Sequence, residues 1–105
     1  MGRQALKKRK DFTLKIYGQE WKVIYMPEIN MGDHKAAGLC DPQSATIYMD
    51  ENMDDAMTAC TFFHELFHAY VRRMGMINAN LSPELEEIIA DQFGQLLSEI
   101  FDFDL

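Results

Sequence analysis

The segment that most constrains this chain is 56–71, AMTACTFFHELFHAYV, which is apolar on nearly every side when it is arranged as a helix. A helix without a polar face belongs in the middle of a domain, where other elements cover it. A chain of 105 residues has room for one core of moderate size. We therefore expect a single domain built around this helix, with His64, Glu65 and His68 as polar groups inside it.

The residues that flank this central helix predict where it begins and ends. Residues 53–75 are predicted to be helical, with Asp54 or Asp55 at the positive end and Gly75 at the close. A second helix is predicted to begin at Ser82-Pro83-Glu84, because serine is a good N-cap and proline suits the first helical position. It should run through ELEEIIADQFGQLLSEIF, nearly to the last residue.

Strand patterns precede the two helices. Residues 12–18 alternate apolar and polar side chains, and residues 20–27 are rich in β-branched and aromatic side chains, so the two segments predict an antiparallel hairpin. Residues 28–38 predict a loop, and residues 45–50 predict a third strand after an Asp-Pro turn. Strands followed by helices indicate an α+β domain, with a small antiparallel or mixed sheet packed on the central helix and on a second, C-terminal helix.

Charge divides the chain into a basic N-terminal arm, residues 1–10, and an acidic domain, residues 11–105. The arm holds five of the ten basic residues and no acidic one, whereas the domain holds all seventeen acidic residues. An acidic domain argues against binding to nucleic acid, and we expect the arm to be a solvated tail. No stretch reaches the roughly 20 apolar residues of a membrane span. Without a secretory signal, and with Cys40 and Cys60 as the only cysteines, the chain is expected to be cytoplasmic with reduced thiols.

The sequence H64-E65-L66-F67-H68 has the spacing of a zinc site. Residues four apart on a helix leave the same face about one turn apart, so both imidazoles can reach one Zn²⁺ ion. Glu65 is turned by about 100° from His64, which suits a general base for water better than a ligand. The alternative is a chance pattern of core or surface histidines. Glu65 favours the metal site, because an unpaired carboxylate is costly in so apolar a helix and a zinc ion would supply the missing positive charge.

A catalytic zinc site requires a third protein ligand, and the second helix offers several carboxylates. Glu87 and Asp91 share a face there with the small residues Ala90 and Gly94, which would let the two helices approach closely. We predict Glu87 as the ligand and Asp91 as the acceptor for a histidine N–H. Glu86 competes for the ligand role, but it points about 100° away from Glu87 and has no acidic residue four positions later.

The sequence H64-E65-L66-F67-H68, followed by E87-I88-I89-A90-D91, resembles the gluzincin clan of zinc metallopeptidases. The run A90-D91-Q92-F93-G94-Q95-L96-L97 is similar to a helix of the ImmA/IrrE family. The resemblance implies a zincin-like fold, Zn²⁺ held by His64, His68 and Glu87, and peptide hydrolysis with Glu65 as the base. It also implies that residues 47–50 form the sheet edge along the cleft, where an extended peptide could add as a strand.

Two departures from the family pattern bear on this expectation. Phe67 stands where the ImmA/IrrE family commonly has glycine, so different helix packing is expected. Because no further segment follows the second helix in this sequence, one wall of the family's cleft is expected to be missing, which makes the very small single-domain gluzincins an equally good comparison. The group that would stabilise charge on the substrate is not evident; Tyr48, Tyr70 and His34 are candidates. Cys60, one turn before His64, is an alternative ligand, although a buried thiol is the simpler reading.

The sequence therefore predicts a zinc metallopeptidase that cleaves a peptide or protein, with a specific regulatory protein as one expected substrate. The alternative is a zinc-stabilised regulatory or protein-interaction module with little or no proteolytic activity. A metal-free α+β binding module is a third possibility, and metal content distinguishes it from the other two.

Overall fold

The structure, a computed structural model, describes residues 9–74 and 81–101. It contains four strands followed by two helices. The strands are β1 (Phe12–Ile16), β2 (Gln19–Met26), β3 (Gly38–Asp41) and β4 (Thr46–Asp50). The helices are α1 (Asp55–Met74) and α2 (Pro83–Ile100). The chain is thus a small α+β fold, as the order of the sequence patterns predicted.

The four strands form one mixed sheet in the order β1-β2-β4-β3. β1 and β2 make the predicted antiparallel hairpin. Its turn places both Tyr17 and Gly18 at positive φ, 51° and 79°, the backbone of the tight turns that match strand twist. β2 runs parallel to β4, and β3 runs antiparallel to β4. The predicted third strand is therefore β4, which lies inside the sheet.

β3 is a strand that the sequence patterns missed, and it changes which strand lies at the sheet edge. It has four residues, GLCD, directly before the Asp41-Pro42 turn, so it is too short to show an alternating pattern. The expectation that residues 47–50 form the edge is wrong. β4 pairs with β2 on one side and with β3 on the other, so β3 occupies the edge instead.

α1 lies between the sheet and α2. The core between α1 and the sheet contains several large buried side chains: Trp21, Val23, Ile47, Met49, Phe62 and Phe63. α2 packs along α1 through Ala90 and Gly94, both buried. A Cβ atom on Gly94 would lie 2.6 Å from the carbonyl oxygen of Cys60, so the absence of a side chain there allows the close approach of the helices. The small residues thus have the packing role predicted for them.

The helix starts agree with the predicted caps. Asp54 Oδ1 accepts a hydrogen bond from the backbone N–H of Met57 at 2.8 Å, so Asp54 rather than Asp55 caps α1. Ser82 Oγ accepts from the N–H of Leu85 at 3.0 Å, and Pro83 occupies the first turn of α2. The predicted end of α1 at Gly75 lies outside the described residues.

Arg9 departs from the expectation of a solvated arm. Its side chain is buried, donates to the backbone oxygen of Met53 at 3.3 Å and pairs with the carboxylate of Asp55. The chain just before β1 is therefore attached to the first turn of α1. Residues 1–8 of the predicted arm lie outside the described part of the chain. Within the described part, neither helix is long and apolar enough to span a membrane.

Candidate metal centre

Three side chains from the two helices converge at one point. His64 and His68 leave the same face of α1, as their spacing predicted, and Glu87 reaches them from α2. Nε2 of His68 lies 3.2 Å from Nε2 of His64 and 3.1 Å from Oε1 of Glu87. Nε2 of His64 lies 3.3 Å from Oε2 of Glu87. The two nitrogens and the carboxylate are thus all within contact of one another.

A carboxylate holds the far side of each imidazole. Nδ1 of His64 lies 2.8 Å from Oδ1 of Asp91, and Nδ1 of His68 lies 2.5 Å from Oε2 of Glu86. A carboxylate only accepts hydrogen bonds, so these partners assign a proton to each Nδ1 in the neutral ring. Each Nε2 then presents a lone pair to the common centre, which it faces together with the carboxylate of Glu87.

Three groups that only accept hydrogen bonds repel one another at these separations unless a cation lies among them. Zinc bonds of about 2.0–2.1 Å in a tetrahedral arrangement would place ligand atoms about 3.3 Å apart. The observed separations of 3.1, 3.2 and 3.3 Å match that spacing. Carboxylates that orient metal-binding histidines through the second ring nitrogen are a common feature of metal sites. The donor set of His64, His68 and Glu87 therefore fits a metal ion.

Glu65 lies beside this centre and is buried, with 8% of its surface exposed. Its Oε2 is 4.0 Å from Nε2 of His64, too far for a hydrogen bond. Burial raises the pKa of Glu65 above its ordinary value; His64 and His68 oppose this effect, and Glu87 adds to it. Glu65 is therefore adjacent to the converging groups without being one of them.

The backbone of Gly38 in β3 lies directly over the side chain of Glu65. A Cβ atom there would lie 2.9 Å from Cγ and 3.2 Å from Oε2 of Glu65, and 2.8 Å from Cγ2 of Thr61. Glycine is thus required because the backbone of β3 passes directly over the carboxylate side chain. This close approach also fixes the distance between the sheet edge and α1.

A cleft of about 390 Å³ opens over the converging groups. β3 supplies one side of it and α1 the floor, and Glu87 stands on the α2 side. Its lining residues are Gly38, Leu39, Cys40, Pro42, His64, Glu65, His68, Arg72 and Glu87. Glu87 is more than half exposed, so the centre is open to solvent from the α2 side. The cleft thus combines a cluster of possible ligands, a buried carboxylate and a strand edge.

Glu86 is the residue whose role sequence reasoning missed. The sequence ranks Glu86 below Glu87 as a ligand because the two residues point in different directions, yet this direction is what brings Glu86 to the far side of His68. It is 2% exposed, and Arg72 Nε lies 3.9 Å from its Oε2. The missed signal was the adjacency of Glu86 to Glu87: neighbouring carboxylates on one helix can approach the two edges of a single imidazole.

The three residues considered from the sequence as groups that stabilise charge on the substrate do not line the cleft. Tyr70 stacks on Tyr17 with ring centroids 5.6 Å apart. His34 is exposed and contacts Asp33. Tyr48 lies on β4, opposite Leu39 of the edge strand. None of the three is among the cleft-lining residues.

Cys60 and Phe67 also lie outside the centre. Cys60 Sγ is 3.9 Å from Oε1 of Gln95, and the thiol is not part of the converging group. Phe67 packs against Phe93 of α2, with ring centroids 5.5 Å apart and the rings tilted by 51°. The aromatic residue at the position where the family commonly has glycine therefore adds to the contact between the helices.

Comparison with known protein families, curated proteins and solved structures found no match for this chain.

Proposed function

We propose that this protein is a zinc-dependent metallopeptidase with a zincin-like fold. The observation that carries the proposal is the convergence of Nε2 of His64, Nε2 of His68 and the carboxylate of Glu87 at 3.1–3.3 Å, with each Nδ1 held by a second carboxylate. The resemblance of the two helices to gluzincins agrees with this geometry. Two imidazoles and one carboxylate are a common ligand set of catalytic zinc.

A zinc ion bound by these residues would supply a Lewis acid that polarises a peptide carbonyl and makes water more acidic. The remaining chemistry belongs to Glu65. Its buried carboxylate, with a pKa raised mainly by burial, is suited to accept a proton from the attacking water and to return it to the leaving amine. Asp91 and Glu86 would hold the imidazoles in the tautomer that leaves each Nε2 free to bind.

The edge of β3 offers a place for the peptide substrate. The N–H of Asp50 donates to the carbonyl of Ala37 at 2.9 Å, which makes this pair a hydrogen-bonded one in the antiparallel ladder. Because hydrogen-bonded pairs alternate along such a ladder, the backbone groups of Gly38 and Cys40 face away from β4. An extended peptide pairing with them would lie over His64, Glu65 and His68, which share the cleft with β3.

The proposal is tested by separating metal binding from cleavage. Purified parent protein should contain about one zinc per chain, and His64→Ala or His68→Ala should lose it, as measured by elemental analysis. Glu65→Gln keeps the shape of the side chain but removes the base. The variant should therefore retain zinc but fail to cleave the peptides that the parent protein cleaves. Normal cleavage by Glu65→Gln would show that Glu65 is not the base. Absence of bound metal in the purified parent protein would contradict the proposal as a whole.

A second candidate function is a zinc-stabilised protein-interaction module without useful proteolysis. One observation favours it: α2 exposes several large apolar side chains, namely Leu85, Ile88, Leu96 and Ile100. Exposed apolar surface of this kind marks interaction sites. Zinc retention without cleavage of any substrate, combined with a stable complex formed through α2, would support this candidate over the peptidase.

A further inference from the structure

We propose that Arg72 makes the cleft selective for substrates that carry a carboxylate close to the bond to be cut. This inference rests on the proposed peptidase function and specifies its substrate class. Arg72 lies one turn beyond His68 on α1, and it lines the same cleft as His64, Glu65 and Glu87. Among the residues that line this cleft, it provides the only permanent positive charge.

The guanidinium of Arg72 is available to a ligand. Its one ion pair with a described residue joins Nε to Oε2 of Glu86 at 3.9 Å, which exceeds hydrogen-bond distance. That oxygen already accepts from His68 at 2.5 Å. Arg72 donates no hydrogen bond within the described part of the chain, and its side chain is 46% exposed. The terminal nitrogens therefore remain able to donate to an incoming group.

Arg73 shows that this placement is specific to Arg72. Both arginines lie in the last turn of α1 and both are exposed. Arg73, however, donates from Nη2 to the backbone oxygen of Tyr17 at 3.4 Å, at the turn between β1 and β2. It does not line the cleft. Arg73 is therefore a matched control for Arg72: Arg72 lines the cleft, whereas Arg73 contacts the turn of the hairpin.

The chemistry that Arg72 would recognise follows from its fork of N–H donors, which fits a carboxylate with two parallel hydrogen bonds. The other charged groups lining the cleft, Glu65 and Glu87, would repel a substrate carboxylate that approached them directly. Arg72 therefore favours a carboxylate placed to one side of the converging groups. That carboxylate could belong to an aspartate or glutamate side chain or to the C-terminus of a peptide, since the chemistry is the same.

The test uses two matched pools of randomised acetylated hexapeptides, one with a single glutamate and the other with glutamine in its place. Each pool is made with a free and with an amidated C-terminus. Cleavage by the parent, Arg72→Gln, Arg72→Lys and Arg73→Gln proteins is followed by mass spectrometry. We expect the parent to cleave carboxylate-bearing peptides about 10- to 100-fold faster than their neutral counterparts, because hydrogen bonds to charged groups have effects of this order. Arg72→Gln should lose this preference, Arg72→Lys should keep part of it, and Arg73→Gln should keep all of it.

The four pools also distinguish the sources of the carboxylate. A preference that follows the glutamate indicates side-chain recognition, and one that follows the free C-terminus indicates a carboxypeptidase-like mode. Equal preference in the parent and Arg72→Gln proteins would overturn the inference, as would an equal loss in Arg73→Gln. Elemental analysis of Arg72→Gln should still give about one zinc per chain, which separates substrate selection from an effect on the metal centre.

A binding experiment keeps this inference separate from the proposed function. The affinity of fluorescein-labelled versions of the same pools is measured by anisotropy for Glu65→Gln and for Glu65→Gln combined with Arg72→Gln. A stronger affinity for the carboxylate pools that disappears with Arg72→Gln supports the inference even if the parent protein cleaves nothing. If neither protein distinguishes the pools, and cleavage by the parent shows no preference that Arg72→Gln removes, the inference is wrong.

Discussion

Substitution of Gly94 by alanine tests whether the close contact between α1 and α2 builds the metal centre. A Cβ atom at this position would lie 2.6 Å from the carbonyl oxygen of Cys60, while ordinary contact begins near 3.4 Å. The helices would therefore have to separate by about 0.8 Å, because the obstructing atom belongs to the backbone and cannot rotate away. The same Cβ would also lie closer than ordinary contact to the backbone N of His64, at 3.2 Å.

The consequence for the site follows from the geometry of α2. Asp91 and Glu87 lie three and seven residues before Gly94 and face α1 with it, so a displacement of α2 moves both carboxylates away from His64 and His68. Metal sites tolerate deviations of only about 0.2 Å in bond length, well below the required shift. We expect Gly94→Ala to weaken zinc binding by about 10- to 100-fold, the range found when groups that orient ligands are disturbed.

Gly94→Ala should also lower the free energy of unfolding of the metal-free protein. Overpacking costs about 1–3 kcal/mol, and the better helix propensity of alanine offsets up to about 1 kcal/mol of it. Zinc affinity is measured by competition with a chromophoric chelator, and unfolding of the metal-free protein by circular dichroism. The matched control is Gln92→Ala, an exposed position on the same helix, where both quantities should stay near the parent values. If Gly94→Ala binds zinc as tightly as Gln92→Ala, the close contact of the helices does not position the ligands.

Three further substitutions test other parts of the account. Glu86→Gln replaces the charged acceptor on His68 and should weaken zinc binding by about 10- to 100-fold by chelator competition. Gly38→Ala should leave zinc bound but reduce peptide cleavage, because the added methyl group meets Cγ of Glu65 at 2.9 Å and displaces its carboxylate. Cys40→Ala should reduce the loss of thermal stability at alkaline pH. Burial, reinforced by the charge of Glu65, raises the pKa of the Cys40 thiol from 9.0 to about 12. Since the folded pKa is the higher one, the contribution of Cys40 to stability is complete below about pH 9 and is lost as the pH rises towards 12.

Each of these predictions has a control or a contradicting result. Glu84→Gln, an exposed carboxylate in the first turn of α2, should leave zinc affinity unchanged. A Gly38→Ala protein that cleaves as fast as the parent would show that Glu65 is not held by β3. For the alkaline effect the comparison is Cys60→Ala, because Cys60 is less deeply placed than Cys40. We expect the melting temperature to fall less in Cys40→Ala than in Cys60→Ala between pH 9 and 11. A parallel fall in the two proteins would show that the alkaline loss of stability does not come from Cys40.

Much of the fold was predictable because its signals are local. The hairpin of β1 and β2, the strand β4 and the caps Asp54 and Ser82 depend on neighbouring residues, and the structure has them where the sequence placed them. The edge strand β3 was missed because its four residues form a strand only by pairing with β4. Once β3 takes the edge, β4 becomes an interior strand, so one missed element also reversed the prediction for the cleft wall.

The candidate site divides in the same way. The shared face of His64 and His68 follows from helix geometry, which is local, and the small residues of α2 correctly indicated a close contact between the helices. The contact of Glu86 with His68 depends on how α2 is rotated against α1, which no pattern within either helix determines. The role of Arg72 was not predictable for a similar reason. The sequence of α1 does not distinguish Arg72 from Arg73, and only the position of β3 shows that Arg72 lines the cleft and Arg73 does not.

The most direct test of the central claim is a crystal structure of zinc-treated protein with anomalous diffraction data collected on both sides of the zinc absorption edge. We predict one strong zinc peak per chain, about 2.0–2.1 Å from Nε2 of His64, Nε2 of His68 and a carboxylate oxygen of Glu87, with Asp91 and Glu86 still on the two Nδ1 atoms. No peak at this position, or a zinc ion bound by Glu86 in place of Glu87, would contradict the account.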